Sequence, residues 1–117
     1  MSDYSDTSKV EKKLKEASDR MDSLAPHVGH AKQILRFNNE RCKGLLAKYA
    51  APFLLDGESS SAANTKARAN PVYQEELQVL IDQLEDSNKT ISEWEAVKVK
   101  YESARSLLSL EKEKMRL

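Results

Sequence analysis

From Val10 to Tyr49 one face of the chain repeats in alternating steps of four and three. Val10, Leu14, Ala17, Met21, Leu24, Val28, Ala31, Leu35, Asn38, Cys42, Leu45 and Tyr49 hold this rhythm for more than five heptads. A 4-3 spacing is the seam of a heptad repeat, and a helix that carries one must bury it against another helix. A half-buried strand needs period two, which the segment lacks. Asn38 is the one polar member, a position at which a buried amide can fix register.

Pro26 lies inside this run, with Gly29 just beyond it. Proline removes a backbone donor and clashes with the preceding turn, costing about 3 kcal/mol in a helix interior. Two readings follow. Either the helix continues with a kink, or Pro26 opens a second helix and the chain becomes a three-helix bundle. The seam keeps its phase across the proline, stepping by four from Leu24 to Val28, which favours the kinked helix.

A second helix is expected from Pro71. Asn70 suits the N-cap, Pro71 the first helical position, and Glu75 and Glu76 the positive end of the dipole. Tyr73, Leu77, Leu80, Leu84, Ser87, Ile91 and Trp94 keep the 4-3 rhythm, and Val97, Tyr101, Ala104, Leu108, Glu111 and Met115 continue it. The two successive steps of three at Ile91, Trp94 and Val97 form a stammer, a local overwinding of the coil.

Between the seams runs DGESSSAANTKARANP, Asp56 to Pro71. Helices are assigned to residues 7–55 and 71–117, and their periodic parts, about Thr7–Tyr49 and Pro71–Met115, have nearly equal lengths, on the order of 65 Å each at about 1.5 Å per residue. Equal lengths fit an antiparallel hairpin, and the charges agree. In His30–Ala50, Lys32, Arg36, Arg41, Lys43 and Lys48 face only Glu40, a net +4. In Pro71–Ala96, seven acidic residues face only Lys89, a net −6. Exposed pairs are worth about 0.2–1 kcal/mol each, so the match sets orientation more than stability. The fold class expected is therefore all-α, a long antiparallel helical hairpin of coiled-coil type within a larger helical bundle. Residues 1–6 are expected to be disordered, and 56–70 to form a flexible tip.

Composition narrows the function. Lys plus Arg and Asp plus Glu both number 19, so no overall field draws the chain to nucleic acid or acidic membranes. No apolar run approaches the roughly 20 residues of a membrane span. The opening MSDYSDTSK has no basic or apolar signal region, and Cys42 is the single cysteine. A reducing compartment, cytoplasm or nucleus, is the expectation.

Few residues invite chemistry. His27 and His30 sit three apart, but structural zinc wants four ligands and no further His or second Cys exists. Cys42 lies on the seam, where a thiol behaves as a small hydrophobe. The NKT tripeptide at Asn88–Thr90 matches a glycosylation acceptor in mid-helix and is discounted. Lys9, Lys12, Lys13, Lys15, Lys112, Lys114 and Arg116 form a basic end, yet Glu11, Glu16, Glu111 and Glu113 interleave with them as on an ordinary solvated helix. PFLLD, Pro52 to Asp56, reads as a cap on the tip or, failing that, a docking element. No phosphate loop, triad or metal set is present, so neither an enzyme nor a small-molecule substrate or cofactor is expected.

Apolar side chains outnumber the seam positions. Ile34, Phe37 and Leu46 fall beside the first seam, and Val79, Ile81, Val99, Leu107 and Leu110 beside the second. Left wet, they would form a patch that lone monomers usually avoid. They are the expected protein-interaction residues, with Asn38 as the register residue. The expected partner is another helical protein, a heteromer in preference to a homodimer. In size and pattern the chain resembles small coiled-coil subunits of cytoskeletal, kinetochore and vesicle-tethering assemblies, and also tubulin-folding cofactors built as three-helix bundles. No motif selects one of these. The reading is a non-enzymatic structural or adaptor subunit, the alternative a small helical chaperone that holds one client, such as a tubulin-like subunit, transiently.

Overall fold

The computed structural model describes the backbone of residues 2–116 and the side chains of residues 7–116. The fold is all-α and contains no strand among the described residues. Helix α1 spans Ser2–Leu55, α2 Ser60–Arg68 and α3 Pro71–Arg116. The backbone is helical from Ser2, so the segment expected to be disordered continues α1; Met1 lies outside the described residues. Contacts divide the chain into a termini-bearing unit, Met1–Gly29 with Lys89–Leu117, and a loop-bearing unit, His30–Asn88. In each unit α1 and α3 run antiparallel. Thr7 meets Met115 and Arg20 meets Glu93 in the first. Arg41 meets Gln83 and Lys48 meets Glu76 in the second.

Pro26 does not break α1, and the third helix comes instead from the segment expected to be a flexible tip. Pro26 and Asp22 are both exposed. The carbonyl that loses its i+4 donor at Pro26 is therefore on the wet side of the helix, where water replaces the bond.

The loop is ordered by its caps. At the end of α1, the Gly57 amide donates to the Leu54 carbonyl at 3.1 Å and the Glu58 amide to the Phe53 carbonyl at 3.1 Å. These two bonds form a Schellman motif, and Gly57 holds its left-handed position at φ +88°. Ser59 then N-caps α2, its Oγ accepting from the Ala62 amide at 3.2 Å. Asn70 caps α3 in the same way, accepting from the Val72 amide at 2.9 Å. The ends of α1 and α2 thus each reach the next helix's N-cap within a few residues.

Helix α2 is only nine residues long, too short to hold itself together in water. Its Ala63 and Ala67, one turn apart, are fully buried together with Ala50 of α1. Leu46, Tyr49 and Phe53 pack around them. Lys66 stands over the Phe53 ring, 5.4 Å from its centroid, and pairs with Glu58. The termini-bearing unit has a two-helix core of Ala17, Leu24, Val28 and Val97, with Met21, Ile91, Trp94 and Tyr101 against it. The burial of Val97, with Lys98 exposed, follows the stammer.

Candidate protein-interaction surface

Six of the eight side chains expected to face a partner do face solvent. Phe37 is 47% exposed, Val79 53%, Ile81 39%, Val99 61%, Leu107 50% and Leu110 54%. Ile34 and Leu46 are corrections to the expectation. Ile34 is buried within the hairpin, and Leu46 is half-buried against the α2 alanines. The cause is helical drift: an α-helix turns about 20° per heptad relative to a 3.5-residue repeat. Burial in the loop-bearing unit is accordingly shared by neighbours such as Ile34 with Leu35 and Tyr49 with Ala50.

The exposed residues fall into two sets, one in each unit. Val72 and Val79 stand seven residues apart on one face of α3, Ile81 lies on a different face of the same helix, and Phe37 is on α1. The Phe37 ring is partly covered by Arg36, whose guanidinium lies 5.3 Å from the centroid. Val99, Leu107 and Leu110 share a second face of α3, at steps of eight and three. Leu54, Leu55 and Val72 are also exposed, Leu55 at 88%; the two leucines belong to the PFLLD segment, whereas Val72 was missed because it lies at a helix end. PFLLD is thereby divided: Phe53 seals α2, while Leu54 and Leu55 face water.

Two open grooves run between α1 and α3. One, of about 580 Å³, lies in the termini-bearing unit and is lined by Ala17, Val97, Ala104, Val99 and Leu107, with Lys13, Glu16, Arg20 and Lys100 at its rim. The other, of about 450 Å³, lies in the loop-bearing unit beside Gly44, Leu45 and Val79. Lys48 reaches Glu76 at 3.6 Å there, and Arg41 donates to the Gln83 amide oxygen at 2.6 Å. The charge match read from the sequence therefore includes one ion pair at Lys48 and a neutral acceptor at Gln83.

Electrostatics at the seam are modest. Tyr49 is held above the ordinary tyrosine value of 10.0, first by desolvation and then by Glu76, which accepts its hydrogen bond and adds a like charge to the phenolate. Asn38 is half-buried, and the Cys42 thiol donates to its Oδ1 at 3.9 Å, a contact within α1 rather than across the seam. His27 and His30 are both exposed, and no cluster of three or more metal-ligating side chains occurs among the described residues. No described helix is long and apolar enough to cross a membrane. Comparison with protein-family models, curated proteins and solved structures finds no match.

Proposed function

We propose that this chain is a non-enzymatic interaction protein, a small helical subunit or adaptor that works by laying exposed apolar side chains of α3 on another protein in the cytoplasm or nucleus. The observation that carries the reading is the exposure of Val79, Val99, Leu107 and Leu110, each half or more open to solvent on a helix whose inward face is already used. Burying a side chain of this size is worth about 1.5–3 kcal/mol, so a few of them supply a useful docking energy. Apolar side chains repeated on the outside of a bundle helix are the sign of a further helix to be packed. Heteromeric docking is favoured, because the two exposed sets are irregular in spacing and do not make a self-complementary heptad seam.

The test joins light scattering on the pure chain to cross-linked co-purification from cells. A partner in fixed stoichiometry, lost when Val79 and Leu110 are changed to Asp in a chain that stays helical, is the expected result. A clean monomer at about 100 μM, a concentration at which a sticky patch would self-associate, together with no stoichiometric partner, would sink the reading.

A further inference from the structure

We propose that the groove lined by Ala17, Val97 and Ala104 seats one helix of a partner protein whose apolar stripe is flanked by acidic residues. The inference rests on the interaction reading above and adds to it the seat and the charge of the partner.

The loop-bearing unit shows what a third helix does in this fold. Where α2 packs on α1, Ala50 is 1% exposed and Ala63 and Ala67 are at 0%. In the termini-bearing unit, which has two helices, Ala17 remains at 8%, Val97 at 9% and Ala104 at 6%. Three small side chains line the groove between two helix backbones, so an approaching helix meets little bulk. Small residues at a contact allow interaxial distances near the short end of the usual 8–10 Å range. Val99 and Leu107 rise beside them, exposed and eight residues apart, which is about 12 Å along the axis. That spacing is close to one heptad, so the two are placed to straddle successive apolar turns of a docked helix.

The rim decides the partner's charge. Lys13 and Lys100 are exposed, and neither makes a hydrogen bond or ion pair among the described residues. Arg20 is tied to Glu93 and so is neutralised, while Glu16 is the one acidic residue lining the groove. A helix with Glu or Asp on either side of its apolar stripe complements this rim, whereas a Lys-flanked helix meets like charge. In the groove beside Gly44 the cations already have partners within the fold, Lys48 pairing with Glu76 and Arg41 donating to the Gln83 amide oxygen.

The experiment uses the full chain and two labelled synthetic peptides of about four heptads, both with Leu at the a and d positions. One carries Glu at e and g, the other Lys, and binding is read by fluorescence anisotropy. The Glu-flanked peptide is expected to bind at least about tenfold more tightly. Lys13→Glu with Lys100→Glu should reverse that order, and Val99→Asp with Leu107→Asp should abolish binding while circular dichroism stays helical. Equal binding of both peptides, indifferent to the lysine substitutions, would overturn the assignment of an acidic partner and leave the interaction reading standing. Binding of neither peptide would overturn the groove itself, and the co-purification test on Val79 and Leu110 would still decide the broader reading. A dimer of the isolated chain that Val99→Asp with Leu107→Asp turns into monomers would make a second copy the occupant, and the assignment would fail.

Discussion

Tyr49 and Tyr73 meet edge to face across the hairpin, with ring centroids 5.8 Å apart and planes at 67°. The pair brings the last turns of α1 against the first turn of α3, and Glu76, one turn beyond Tyr73, takes the Tyr49 hydroxyl. Lys48 joins the same cluster, its ammonium 3.6 Å from Glu76 and 5.3 Å from the Tyr49 ring centroid.

That cluster sets a pH dependence. The Tyr49 pKa in the fold is raised above 10.0, so the fold binds the phenol proton more tightly than the unfolded chain does. Its contribution is fully present below pH 10.0 and is lost as pH rises through the folded value. Thermal melts from pH 8 to 11 should therefore fall more steeply for the native chain than for Tyr49→Phe. The lysine titrations are common to both, so parallel slopes would rule the contribution out.

The three glycines should answer the same substitution with opposite signs. Gly57→Ala forces a Cβ into φ +88° and should destabilise by about 1 kcal/mol, undoing the Schellman turn. At Gly29 and Gly44, both inside α1, an added Cβ meets nothing within 4 Å. Alanine at each should stabilise by about 0.5–1 kcal/mol through helix propensity. Urea unfolding of the three variants checks the pattern.

Pro26→Ala should raise stability, by at most the roughly 3 kcal/mol of a full interior proline. It restores an amide donor for the Asp22 carbonyl in a helix that is already continuous. A loss of more than about 1 kcal/mol would mean that the proline is needed by a turn.

Helix α2 should respond to volume. Ala67→Leu adds bulk at a site with 0% exposure and should destabilise by about 1–3 kcal/mol. Ala62→Leu, on the half-buried side of the same helix, is the control for helix propensity. If both variants melt alike, α2 is not packed as described.

On the outer face, Val79→Asp and Leu110→Asp should each change stability by no more than about 0.5 kcal/mol, as surface substitutions do. Ala104→Asp, placing a charge at 6% exposure, should cost several kcal/mol. Comparable losses at all three positions would show that the outer face is part of the fold's own core.

The sequence by itself determined the two long helices, their inward seams and their antiparallel pairing. A 4-3 repeat must bury its seam against another helix, near-equal lengths and opposite charges pointed to antiparallel pairing, and every α3 seam residue from Tyr73 to Glu111 is buried or half-buried, including those beyond the stammer. The start of α3 was legible for a local reason, since Asn70 and Pro71 suit capping whatever surrounds them. Tertiary structure decided the rest. Nine residues are too few to repay helix nucleation on their own, and α2 exists because Ala63 and Ala67 find Ala50. Ile34 and Leu46 were read as outward because a heptad assigns each residue one side, whereas the real helix drifts and a third helix widens the buried face. Which apolar residues stay wet is thus fixed only when all three helices are in place: periodicity gives direction, but burial depends on what stands opposite.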